Sequence, residues 1–276
     1  MLSDSLRQRL EALNRDRLPA VPARPRPVAA PPQRAAELTT LHSPRVEGSA
    51  AIEATEFGEH ALYTLPVAEL WPKGPGLVAG RLEHLSQQPL EGELGELVQA
   101  MPGRVALLDL ETCGLSGAAL FLVGLLRWVD NEPTVELLFA RSYAEEAAVL
   151  ASLWRRLNDI DVLVTFNGKS FDWPMVVDRS RRYLLHKKLE LPTPRHVDML
   201  HHARRKYKAV LPDCKLQTIE SQVCRRPRGP DIPGSQIPAA YDNYVRTGRD
   251  DEMRQVRQHN ALDLVTLLDI TMRVAS

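Results

Sequence analysis

The chain has 276 residues, 44% hydrophobic and 25% charged, with 35 Lys plus Arg against 35 Asp plus Glu. Those proportions fit an ordinary globular protein, and the global balance gives no sign of a polyanionic partner. No apolar run reaches the ~18–20 residues that a membrane span needs, and the first residues lack the apolar centre of a secretory signal. Three cysteines, Cys113, Cys214 and Cys224, show no zinc spacing and are too few for a disulfide framework, so the expectation is a reduced, cytoplasmic protein with no membrane contact.

In chain order, Leu2 to Arg17 has Leu6, Leu10 and Leu13 roughly on one helical face. Six prolines between Pro19 and Pro32 then forbid helix and sheet and favour an extended linker. Residues 1–45 are expected to be an arm, disordered or partly helical, that offers a site for a protein partner. Residues 46–102 read as an accessory segment packing on the domain that follows. Within it HALYTLPVAEL alternates like a strand and LEGELGELVQAM has helical spacing.

Residues 103–276 read as one domain. RVALLDLET, AALFLVGLLRWVD and TVELLFARSY are three strands separated by CGLSG and DNEP turn signals. AEEAAVLASLWRRLND is helical, and DVLVTFN is a continuous apolar run of the kind a buried parallel strand shows. KSFDWPMVVDRSRRYLL is expected to be helical with Pro174 in its first turn, and residues 251–275 form one long helix. A three-strand antiparallel meander followed by helix, parallel strand and helices makes a mixed α/β sheet flanked by helices.

Three motifs carry candidate chemistry. Asp109 and Glu111 lie two apart on a strand, so both carboxylates project from one face, where like charges repel unless a cation neutralises them. Oxygen-only ligation suits Mg²⁺ or Mn²⁺. Read alone, Asp-x-Glu is a very common tripeptide and points more to a structural or surface role than to a site. FNGKSFDWP leaves the second apolar strand through a tight Asn167-Gly168 turn and starts a helix near Asp172, which could also be a simple helix-start acid. In HNALD, His259 and Asp263 share a helix face.

Taken in order, Asp109-x-Glu111, Asn167-x-x-x-Phe171-Asp172 and His259-x-x-x-Asp263 resemble the DEDD (DnaQ-like) exonuclease superfamily of RNase H-like fold. NGKSFDWP, LQTIE, DIPG and HNALD are most similar to its YprB-type group, and the second motif also resembles the proofreading domains of family B DNA polymerases. The resemblance covers about Gly103 to Thr271. It implies metal-dependent 3′–5′ exonuclease action on single-stranded or frayed DNA or RNA, with two Mg²⁺ or Mn²⁺ ions and release of nucleoside monophosphates. It carries metal-binding roles to Asp109, Glu111, Asp172 and Asp263, and a base or water-orienting role to His259. One departure is that His259 stands four before the final Asp, the spacing of the subgroup with Tyr there, whereas the usual His subgroup spaces it five before.

Between Asp172 and Lys208 ten basic residues face four acids. With the nuclease resemblance in place, that stretch, Arg181 and Arg182 included, is expected to meet phosphates near the cleft mouth. Asn167, Lys169 and Phe171 are expected to touch substrate from within the second motif. Asp198 either supports the acids from behind or caps a helix. A separate metal site at His196, Asp198, His201 and His202 is weighed and set lower, since adjacent histidines diverge. Residues 225–248 read as a Pro-containing loop and a short Tyr-rich helix. There Arg225, Arg226 and Arg228 could contact substrate, while Tyr241 and Tyr244 are expected to pack rather than stack on bases. Two further readings stand beside the exonuclease: a nucleic-acid-binding module with weak or lost activity, and a structure-specific endonuclease or RNase on the same fold.

Overall fold

The computed structural model describes residues 50–114, 117–226 and 228–276. The expected N-terminal helix and Pro-rich linker lie outside the described residues. The described chain opens with β1 (Ala51–Thr55) and β2 (Gly58–Pro66), then α1 (Val67–Leu70), α2 (Gly74–Ser86) and α3 (Gly92–Ala100). Next come β3 (Val105–Thr112), β4 (Leu120–Val129), β5 (Glu132–Phe139) and α4 (Glu146–Leu157). The remainder is β6 (Val162–Thr165), α5 (Asp172–Arg182), β7 (Arg195–Asp198), α6 (Met199–Tyr207), α7 (Leu216–Ile219), α8 (Ile237–Thr247) and α9 (Asp251–Ala275).

Seven strands form one mixed sheet in the order β1-β2-β5-β4-β3-β6-β7. β3, β4 and β5 are the expected antiparallel meander, while β6 runs parallel to β3 and β7 parallel to β6. β1 and β2 extend the sheet beyond β5. Val105 to Leu108 and all four residues of β6 are buried, as strands covered on both faces must be.

The pleat shows which helices cover which face. Gly124 of β4 faces Asn260 of α9, and its neighbour Leu125 is paired with Glu136, which bonds Arg156 of α4. Adjacent strand residues face opposite sides, so α4 and α9 sandwich the sheet. α9 buries Leu264, Val265, Leu267, Leu268 and Ile270 against the core, and Met253 to His259 continue the same packing. On α8, Tyr241 is fully buried, stacked on Phe121 at 4.0 Å with its hydroxyl donating to the Ala140 carbonyl. The tyrosine is core, as expected of it.

Two boundaries differ from the sequence reading. β2 stops at Pro66, and the residues read as its continuation turn into α1. The segment read as helical from Lys169 divides: the helix starts at Asp172, where the second motif placed its start, and residues 167–171 form a turn pinned by a carboxylate. Asp198 accepts the backbone N–H of Asn167 at 2.8 Å and of Lys169 at 3.1 Å. Asn167 takes the left-handed region at φ 69°, which Asn tolerates. Gly168 follows so closely over Thr165 that a Cβ would lie 2.5 Å from that side chain. A tight turn here requires glycine.

Candidate active site

The acids come from three elements. β3 contributes Asp109 and Glu111 on one face, and its register against β4 shifts only after Glu111, so the pleat holds through both. That shift is a bulge beside the acid pair, a common way to end pairing where side chains must be aimed. α5 contributes Asp172 as its first residue, and α9 contributes His259, Asn260 and Asp263. Asn260, fully buried between them, donates its Nδ2–H to Asp109 Oδ2 at 2.8 Å. The side chain fits only because residue 124 is glycine: a Cβ there would stand 1.8 Å from Asn260 Oδ1.

The electrostatics show four carboxylates in mutual reach. Burial pushes Asp109 well above the usual carboxylate range, and Asp263, Glu111 and Asp172 push it further. Burial likewise carries Glu111 up to about 8, with Asp263 and Asp172 adding to it while His259 and Asn260 pull it back. Asp172 is raised to about 6 by burial and by Asp198, against backbone N–H groups that favour its charge. These are the marks of like charges held together out of water.

His259 is not an ordinary imidazole. Burial disfavours its charge, yet the hydrogen bond that its ring N–H donates to Asp231, followed by the charges of Asp263 and Glu111, raises it to about 9. Its Nδ1 lies 2.9 Å from both oxygens of Asp231 and its Nε2 lies 3.4 Å from Asp263 Oδ2. Asp263 also receives Arg228 Nη2, whose guanidinium donates in addition to Glu220 and, at 3.1 Å, to Asp231. Arg228 therefore turns inward onto carboxylates. Among the described residues, no three His, Cys, Asp or Glu side chains form a ready-made metal cage, including the His196–His202 cluster. His196 bonds Thr165, His202 bonds Glu93, and His201 is exposed.

Other sequence candidates divide. Phe171, 59% exposed, borders a cleft of ≈ 600 Å³ with Leu110, Pro174 and Met175, and Asp172 lies in its wall. Lys169 is drawn to Glu93 of α3 at 3.2 Å. Asp198 caps α6 through the Leu200 N–H while holding the Asn167–Lys169 turn, so both of its weighed roles have contacts behind them. Arg181 and Arg182 are exposed at the far end of α5, ~13 Å along the helix axis from Asp172. The structure does not bring them to the acids. Asp231, Glu220 and Asn260 were not singled out as site residues, although DIPG, LQTIE and HNALD already marked their positions by resemblance, and Arg228 was weighed only as a substrate contact.

Two results follow. Replacing Gly124→Ala should displace Asn260 and destabilise the fold by ~1–3 kcal/mol, as overpacking does, read by denaturant titration. An unchanged midpoint would show that Asn260 relaxes freely. The second concerns pH. The folded-state values of Glu111 and Asp172, about 8 and about 6, exceed their ordinary 4.5 and 3.8, so the folded state holds these protons more tightly. Their contribution to stability is complete below those ordinary values and is lost as pH rises through about 6 and about 8. His259, raised from 6.5 to about 9, acts in the same direction: its contribution is present below its ordinary value and lost through about 9. With chelator present, Tm should fall between about pH 5 and about 9, and Glu111→Gln should flatten the fall in calorimetry. An identical slope in that variant would remove the assignment.

The acid-bearing part of the chain has relatives among known proteins. The Bacillus subtilis (strain 168) protein described as "Uncharacterized protein YprB" is 33% identical over 171 residues, a match spanning 60% of this chain and 41% of that relative. The structure of the family B DNA polymerase from the hyperthermophilic archaeon Pyrobaculum calidifontis aligns with a TM-score of 0.47 and 14% identity over 60% of this chain and 24% of that one. The model of the RNase_H superfamily matches residues 106–275, the stretch that runs from β3, with its acid pair, to the end of α9. With its meander, parallel strands and flanking helices, the chain belongs to the RNase_H superfamily.

Proposed function

We propose that the chain is a divalent-metal-dependent nuclease that hydrolyses single-stranded or frayed nucleic acid from the 3′ end and releases nucleoside monophosphates. The observation that carries this reading is the mutual influence of Asp109 and Glu111 on β3, Asp172 at the start of α5 and Asp263 on α9, with His259 beside them. An all-oxygen donor set whose charged forms are disfavoured by burial and mutual repulsion fits hard cations such as Mg²⁺ or Mn²⁺. Asp109, Glu111, Asp172 and Asp263 would hold the ions. Bound there, the ions would supply charge neutralisation on the phosphate and a more acidic water.

The chain's own residues do the rest. Asn260 fixes the direction of Asp109. His259 presents Nε2 toward the acids, where the neutral ring, once it has lost its extra proton, would orient the attacking water and receive its proton. The two site carboxylates that hold His259 charged, Asp263 and Glu111, are among those a cation would engage. Phe171 and Met175 offer the cleft an apolar wall against which a terminal base can lie.

The test is a time course of the pure protein with Mn²⁺ or Mg²⁺ on 3′- and 5′-labelled single- and double-stranded DNA and RNA. Mononucleotide release that stalls on a blocked 3′ terminus is expected; internal cleavage of the blocked strand would instead indicate an endonuclease. One observation favours a second reading, a nucleic-acid-binding module of weak activity: Arg228 already engages Asp263. Retarded mobility of a labelled strand without any hydrolysis would support it. No helix among the described residues is long and apolar enough to cross a membrane.

A further inference from the structure

An imidazole at the edge of an acid cluster can turn about its χ2 and present either nitrogen, so something must choose. In this chain the chooser comes from the loop between α7 and α8. Asp231 places both carboxylate oxygens 2.9 Å from His259 Nδ1, which leaves Nε2 directed at the acids, 3.4 Å from Asp263. Asp231 is itself braced. Arg228 Nη1 donates to it at 3.1 Å, while the same guanidinium is held by Glu220, and Glu220 accepts the Thr266 hydroxyl at 2.6 Å. This chain of contacts leaves α9 at Thr266 and returns to it at His259, about two helical turns away. Pro230 and Pro233 restrict the backbone on either side, and the buried Ile232 anchors the turn in the core.

We infer that Asp231 is the positioning residue for His259: it accepts the Nδ1–H so that Nε2 is fixed toward the reacting water. The inference rests on the nuclease reading and deepens it. Asp231 touches no reacting atom and acts only through the histidine. Fixing one ring nitrogen by a carboxylate determines what the other can do, and loss of such partners costs ~10–100-fold where a histidine serves a site.

The experiment combines kinetics with a readout free of turnover. Wild type, Asp231→Ala, Asp231→Asn, His259→Ala and the double variant Asp231→Ala/His259→Ala are assayed on a labelled single strand with Mn²⁺. Asp231→Ala should lower kcat by ~10–100-fold with KM little changed, and should add no further loss in the His259→Ala background. Asp231→Asn, which keeps an acceptor at the same place, should retain more activity than Asp231→Ala. In proton NMR of the protein without added metal, the His259 Nδ1–H should give a slowly exchanging resonance that is absent in His259→Ala and lost in Asp231→Ala. An equal loss of kcat in both backgrounds, or a resonance that persists in Asp231→Ala, overturns the proposal alone. A wild-type chain without hydrolysis overturns the nuclease reading and this proposal with it.

Discussion

Asp109→Asn should abolish metal-dependent hydrolysis, by on the order of 10³-fold or more, and leave the fold at least as stable as before. The two halves of this result have one cause. Asp109 is the most crowded of the acids, raised by burial first and then by Asp263, Glu111 and Asp172. Removing its charge removes an electrostatic penalty from the unliganded protein, since folding no longer has to gather that charge against three others. The amide is nearly isosteric, and its oxygen can still accept the Asn260 Nδ2–H that Asp109 Oδ2 accepts now. Stability therefore holds or rises, and a loss of activity cannot be ascribed to misfolding. A bound divalent cation contributes several kcal/mol of charge stabilisation, and ~4 kcal/mol corresponds to ~10³ in rate. Initial rates with Mn²⁺ and Tm with chelator, on one preparation, read both halves. Hydrolysis within tenfold of wild type would sink the assignment, and a large fall in Tm would show that Asp109 is structural.

How much of this could be read from the sequence depends on the kind of signal. β3, β6 and α9 were legible because burial on both faces, or along one stripe, imposes continuous or periodic apolarity on the residues themselves. Strand and helix spacings put Asp109 with Glu111, and His259 with Asp263, on shared faces, whereas only the resemblance to the DnaQ-like exonucleases joined these residues and Asp172 into one set. α2 was not. Its Gly74, Pro75, Gly76 and Gly80 are poor helix formers, and its place is set by tertiary contacts: Val78 and Leu85 in the core and Arg81 bonded to the buried Asp269. The cross-brace at the site was illegible for a related reason. Glu220, Arg228 and Asp231 meet across a loop and a π turn with no fixed period, so their spacing carries no geometry until the fold is known. In the basic stretch the sequence did not separate Arg179, which is buried, from its exposed neighbours. Charge was visible, but which charges face solvent was not, and that distinction decides the next result.

Arg179→Met should destabilise the protein by ~3–5 kcal/mol, a fall in Tm on the order of 10 °C, without changing nucleic-acid affinity. In the sequence Arg179 stands with Arg181 and Arg182 as part of one basic patch. In the fold it is 4% exposed and Glu146 is 1% exposed. Its Nε and Nη2 fork onto the two Glu146 oxygens, both at 2.5 Å, and its Nη1 donates to the Gly117 carbonyl at 3.1 Å. Glu146 also accepts the Leu120 N–H and the Tyr183 hydroxyl, which ties α4 to α5 and to the start of β4. Removing the guanidinium strands a carboxylate away from water, and that desolvated charge, more than the lost attraction, sets the cost. Glu146→Gln in the same chain keeps an acceptor for Leu120 without the charge, so the double variant should recover part of the loss. Failure to recover any would place the energy in packing of the arginine stem instead. The neighbours behave differently because they are exposed. If Arg181 and Arg182 contact phosphates, Arg181→Gln with Arg182→Gln should leave Tm unchanged and flatten the log–log salt dependence of single-strand binding by about 1.4, that is about 0.7 for each contact. Arg179→Met should not move that slope at all, and a flattened slope in Arg179→Met would mean that the buried pair opens when nucleic acid binds.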